Sequence, residues 1–227
     1  AGIIQVLDGW TGATRGSLFD AGIGVTSIVV SSDGRRLWSH AAIDREIREF
    51  DLTDLVANPY PVRSVRVVLE EPLSEQEHRG QRLFHDALDT RLAKDGYIAC
   101  ASCHPDGRDD GLVWDFTDRG EGLRNTITLE GRSGDGMGPL HWTGNFDEVQ
   151  DFEHDIRHGN AGTGLVDDAD FDAAGGPLGT PLAGLSEDLD ALAAYVATFD
   201  SFPRSPVDLV APGPALDLFS QYGCDTC

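Results

Sequence analysis

Hydrophobic positions along the chain follow two periods: two residues up to Leu69, and about 3.6 residues from Ser74 onward. Residues 1–61 read as β structure. Val25-Thr26-Ser27-Ile28-Val29-Val30 is β-branched and predicts a strand, and Ser31-Ser32-Asp33-Gly34 carries the Asp-Gly pair of a tight hairpin. Segments 37–42 and 47–51 predict a second and a third strand, with a turn between them. A further strand over 62–69 precedes the break at Glu70-Glu71-Pro72.

The helical part opens at Ser74-Glu75-Gln76-Glu77, a capping-box pattern, and carries Leu83, Phe84, Ala87 and Leu88 on one face. A second helix is expected from Asn145, burying Phe146, Val149, Phe152 and Ile156 and stopping at Gly159. A third is capped by Ser186, with Leu189, Leu192, Ala193 and Val196 as its stripe and Phe199 following. Gly- and Asp-rich stretches at 105–144 and 159–185 read as long loops, which in a compact domain usually surround something. Pro203, Pro206, Pro212 and Pro214 mark a linker. Beyond it the Leu-Phe pair recurs: Phe84 lies 16 residues before Cys100, and Phe219 lies 5 before Cys224.

Composition narrows the function classes. With 17 Lys+Arg against 39 Asp+Glu the formal charge is −22, which argues against nucleic acid and anionic membrane surfaces. A basic partner protein, or a small uncharged molecule, fits better. No apolar run is long enough to span a bilayer. Both ends look cut, with Ala1 at one and Cys227 inside a Cys-x-x-Cys unit at the other, so a fragment of a longer protein is expected.

The chemistry concentrates at Cys100-Ala101-Ser102-Cys103-His104, the C-x-x-C-H signature of c-type haem attachment. Two cysteines about one helical turn apart can reach the two vinyl groups on one porphyrin edge, and the next imidazole can ligate the iron. A thioredoxin-like dithiol wants a longer strand before the pair than Tyr97-Ile98 and a helix after it, where Pro105-Asp106-Gly107 breaks the chain. A zinc site from Cys100, Cys103, Cys224 and Cys227 has suitable ligands but crosses the proline linker and leaves His104 unexplained. A structural disulfide is the remaining alternative.

Leu83-Phe84, Cys100 to His104, Arg124-Asn125-Thr126 and Trp142-x-Gly144, in that order, resemble the dihaem cytochrome c peroxidase / MauG-like family, in the form fused to a YVTN/NHL-type β-propeller. The 186–199 helix resembles the last helix of small cytochromes c. The resemblance implies a mainly α, cytochrome c-like haem domain with long loops around the haem, preceded by an antiparallel β segment like one propeller blade. The implied division is a blade remnant at 1–61, a connecting strand at 62–73, a cytochrome domain at 74–203, and a linker with the truncated start of a second cytochrome domain at 204–227. The implied cofactor is haem c, with one complete site and a second, anchored by Cys224 and Cys227, that is truncated.

His141 is the first candidate for the second iron ligand, Met137 in the same loop the alternative, and His154 and His158, at i and i+4, come after them. An open position would allow peroxide to bind. Arg124 is a candidate propionate partner or a surface ion pair. Trp142 would relay electrons or pack on a porphyrin edge. His40, His78 and His85 read as surface or packing residues, and Asp106, Asp109, Asp110 and Asp115 as a solvated acidic loop. Unlike family members that switch coordination, this chain has no His between 105 and 123, and it lacks the family's Glu-Met segment. The expected function is therefore electron transfer, with peroxidase-like oxidation as its extension, outside the cytoplasm in the periplasm or at the cell surface. The alternatives are a propeller binding protein with a structural haem module, and a zinc- or disulfide-stapled domain.

Overall fold

The computed structural model describes residues 2–131, 139–201 and 213–224. It begins with a two-stranded hairpin, β1 (Ile4–Leu7) and β2 (Thr14–Leu18). A four-stranded antiparallel meander follows: β3 (Val25–Val30), β4 (Arg36–Ala41), β5 (Glu46–Asp51) and β6 (Arg63–Arg66). Ser31 to Gly34 turns β3 into β4, with Gly34 at φ 69°, the left-handed region that glycine enters without a Cβ penalty. The segment expected at 62–69 is thus the outer strand of this sheet, with Ile47 opposite Val65.

Period-2 alternation decides what the meander buries. Leu37 and Phe50 pair on one face and close a small core with Leu18 of the preceding hairpin and Ala21 just after it. The opposite face carries Val29, Trp38, Ile47 and Val65 around an open concavity of about 460 Å³.

Helix α1 (Glu75–His85) begins with the expected reciprocal cap: Ser74 Oγ accepts from the Glu77 N–H, and Glu77 accepts from the Ser74 N–H. Its buried side, Gly80, Leu83 and Phe84, lies across α4 (Glu187–Ala197), which Ser186 caps. The main core gathers these with Val149, Val166, Phe171, Leu182, Leu189 and Leu192. Polar contacts fasten the meander to α1. Arg45 pairs with Glu71 (2.9 Å) and donates to Gln81 Oε1 (3.0 Å), Arg82 pairs with Asp44, and His78 Nε2 donates to the Ile43 carbonyl (2.8 Å).

The expected mainly α class is corrected: the fold is mixed α/β, with 28% helix, 20% strand and three antiparallel sheets among the described residues. The reason lies in the two stretches read as loops. The first closes into a hairpin of β7 (Val113–Phe116) and β8 (Gly122–Asn125), and the second folds partly into α3 (Asp168–Ala174). The helix expected from Asn145 is instead a 3-10 turn at Val149–Phe152, then a wider π turn at Asp155–Gly159. Its apolar residues Val149 and Ile156 are buried as expected. No helix among the described residues is long and apolar enough to cross a membrane.

One buried acid in this region has a testable consequence. Asp151 is 3% exposed and accepts the N–H groups of Asp147 (2.9 Å) and Glu148 (3.3 Å). Burial pushes its carboxyl up to about 6, against the resistance of those two hydrogen bonds. The fold therefore holds this proton more tightly than the unfolded chain does. The stabilisation is complete below about pH 4 and lost as pH rises to about 6, at most about 3 kcal/mol. Asp151→Asn is expected to lose less stability than the parent between pH 4 and pH 6, measured by urea unfolding at each pH.

Candidate functional site

Cys100 and Cys103 bracket a single helical turn, α2 (Cys100–Cys103), and the His104 N–H closes it on the Cys100 carbonyl (2.9 Å). Ser102 stiffens the entry by accepting from the Ala99 N–H (3.1 Å). The chain then makes a 3-10 turn at Pro105–Gly107, with Asp106 left-handed at φ 52°. Gly107 is required there: a Cβ would stand 2.7 Å from the Phe199 ring. Phe199 in turn packs on Phe84 (5.8 Å) and Tyr195 (5.1 Å) at the crossing of α1 and α4. The motif is thus seated on the helix pair, with Cys100 and Ala101 against the main core.

This setting decides the character of the three side chains. Burial pushes the Cys100 thiol up to about 11, and burial followed by the charge of Asp110 raises that of Cys103. A dithiol working by exchange needs the opposite shift, since the thiolate is its nucleophile. His104 is kept neutral by desolvation, which outweighs the backbone of Arg108 and Ile127 and the charges of Asp110 and Asp109. Its Nδ1 is buried and receives no well-aligned hydrogen bond among the described residues, although the backbone of Arg108 and Ile127 comes close to the ring. An orphaned polar atom of this kind costs about 1–3 kcal/mol unless something bonds it, and a neutral imidazole is the form that ligates a metal.

His141 has partners of its own. Its backbone is left-handed (φ 67°), and its ring stacks on Phe146 at 5.0 Å with Phe152 edge-on. Nδ1 lies 3.0 Å from Asn145 Oδ1 and 3.2 Å from Glu121 Oε1, and Nε2 lies 3.7 Å from Asp155 Oδ2. Met137 and Cys227 lie outside the described residues. His154 and His158 both face Phe171 (4.6 and 6.0 Å) rather than the motif. Trp142 Nε1 donates to the Asn125 carbonyl (2.5 Å) and pins its loop to β8. Arg124 donates to the neighbouring Leu123 carbonyl (3.0 Å). Cys224 is exposed just after α5 (Gly213–Gln221), which carries the second Leu-Phe pair, also exposed.

The expectation of haem c with one complete site is corrected. Among the described residues no group of three or more His, Cys, Asp or Glu side chains is placed to hold a metal ion. His104 and His141, expected on the two sides of one iron, keep separate neighbours. The physical reason is electrostatic: carboxylates and an amide hold both nitrogens of His141. What the described residues present is an anchoring half, Cys100, Cys103 and His104. The expected second site reduces here to exposed Cys224.

No family model, curated protein or solved structure matches this chain.

Sequence reasoning passed over several participants. Asp110, read as part of a solvated loop, accepts from Trp114 and Thr126 beside the motif. Glu121 and Asp155, which flank His141, carry no local signal, since 20 and 14 residues separate them from it. His85, read as a packing residue, does pack, against Phe84 and Tyr195, and donates from Nδ1 to the Gln81 carbonyl (2.8 Å).

Proposed function

We propose that this chain is an electron-transfer domain of the c-type cytochrome kind, in which Cys100 and Cys103 would anchor the redox group through their sulfurs and the His104 imidazole would ligate it. The observation that carries this reading is the buried, unpaired Nδ1 of a neutral His104, directly after two cysteines one helical turn apart. The fit is chemical. Both thiols are protonated and shielded rather than poised for exchange, and the imidazole is in its ligating form. The group so held supplies one-electron chemistry. The chain's own part is to fix the imidazole against the core, exclude water from the turn through Phe199 and Leu129, and surround it with negative charge. The net charge of −22 favours a basic redox partner and an association rate that falls with salt. Covalent attachment of this kind implies a site outside the cytoplasm. Peroxidase-like oxidation stays secondary, because no His stands at 105–123 to exchange ligands.

The test is a reduced-minus-oxidised spectrum of chain matured with the haem-attachment machinery. An α-band that survives denaturing extraction is expected, and it should be lost in the Cys100→Ser, Cys103→Ser double variant. Absence of the band in the parent overturns the reading. Peroxide consumption with an added reductant then separates an enzyme from a carrier.

A second reading, a binding protein whose β unit performs recognition, draws on the open apolar face around Trp38. A parent chain without the α-band would favour it.

A further inference from the structure

Building on that reading, we propose that Asp110 is a positioning residue: it clasps the segment after the motif back across it, and its fixed negative charge holds the midpoint potential of the anchored group low. Three donors from different parts of that segment converge on the carboxylate. Thr126 Oγ1 donates to Oδ1 (2.7 Å), Trp114 Nε1 donates to Oδ2 (2.9 Å), and the Leu112 N–H donates to Oδ1 (3.0 Å). Thr126 follows β8 directly and Trp114 lies within β7, so one side chain gathers both strands of the hairpin. Next to Thr126, the backbone of Ile127 lies against the His104 ring, and the Leu129 N–H donates to the Gly107 carbonyl (2.8 Å).

Asp110 differs in this from its acidic neighbours. Asp109 accepts from Gly111 and Asp115 from Thr117, each serving only its own turn. Asp110 is the one of the three whose charge acts on both Cys103 and His104, and its hydrogen bonds hold it ionised below the usual carboxylate range. A preset anion favours the more positive, oxidised state of a redox group beside it, because that state gains more from the Coulomb attraction. The orienting donors also spare the site reorganisation when the charge changes.

The experiment is a redox titration of the matured chain carrying Asp110→Asn or Asp110→Ser, with Asp110→Glu as the conservative variant. An upward shift of the midpoint potential is expected in both neutral variants, with an unaltered α-band, and Asp110→Glu should stay near the parent. Neutral variants with parent-like spectra and a parent-like potential overturn the role of Asp110 while leaving the cytochrome reading intact. An Asp110→Glu protein that shifts as far as the neutral variants also overturns it, because the charge would then not be the cause. A parent chain without an α-band overturns the reading and this inference together.

Discussion

Gly80→Ala is expected to destabilise the protein by about 3 kcal/mol or more, although alanine is the better helix former by about 1 kcal/mol. A Cβ at this position would stand 1.8 Å from the Ala191 carbonyl oxygen, 2.5 Å from its carbon and 2.8 Å from the Tyr195 Cβ. The first two are backbone atoms of α4, so no rotamer change relieves the clash and the helices must separate. Separation would break the aromatic cluster of Phe84, Tyr195 and Phe199, and with it the seat of Gly107. The effect therefore reaches from the core to the Cys-x-x-Cys-His turn. Urea unfolding at pH 7 measures it. Gly176→Ala, where an added Cβ meets nothing within 4 Å, is the control and should stay within about 0.5 kcal/mol of the parent. A Gly80→Ala protein as stable as that control would mean that α1 and α4 do not cross at this contact.

Glu153→Ala is expected to cost about 3–5 kcal/mol, the range for breaking a buried ion pair from one side. Glu153 is fully buried, and its carboxylate accepts from the Leu165 N–H (2.9 and 3.0 Å), the Val166 N–H (3.2 Å) and Arg157 Nε (2.8 Å). The close approach needs Gly164, where a Cβ would fall 2.2 Å from Glu153 Oε1. Removing the carboxylate strands two backbone donors and takes away one of the guanidinium's three hydrogen-bond partners, while Asp168 and the Val166 carbonyl still hold the other two. Val166 belongs to the main core, so the loss propagates inward. Denaturant unfolding gives the size of the effect, and hydrogen exchange gives its place: the Leu165 and Val166 amides should lose protection before those of α1. Retained protection at both would show that the carboxylate is not what orders this loop. Glu153→Gln should fall between the parent and Glu153→Ala, because its amide oxygen can accept from some of these donors but its NH₂ faces the others.

These two sites differ in how far they could be read from sequence. The capped starts of α1 and α4 are local: Ser74 and Ser186 bond donors three residues on, and both follow directly from spacing. The meander is equally local, since strand alternation and one Asp-Gly turn set its register. The hairpin of β7 and β8 carries weaker signals. Its strands are four residues each, in a stretch rich in Gly and Asp, and they are held partly by Asp110 reaching 16 residues ahead to Thr126. Reading that stretch as open loop is what produced a mainly α expectation. The break of the 145–159 segment into 3-10 and π turns also escapes periodicity. Its apolar spacing is helical, but Glu153 is drawn into contacts with residues twelve and thirteen ahead.

The candidate site divides along the same line. Cys100, Cys103 and His104 are contiguous, so a single helical turn sets their spacing and the sequence was enough to propose what they do. Their burial, the orphaned Nδ1, the raised thiol pKa values and the clasp of Asp110 are tertiary. They depend on Phe199, Ile127 and Thr126 arriving from distant parts of the chain. The same holds for His141, the first of several candidates for a second ligand opposite His104. Long-range packing gives it Glu121 and Asp155 instead, because a ring nitrogen goes to the nearest strong partner in the folded chain. Sequence thus determined the meander, the capped helices α1 and α4 and the chemical identity of the motif, through interactions that span a turn or a strand pair. Only the tertiary structure decided which groups are desolvated and what faces them, because those energies depend on neighbours that no local pattern names.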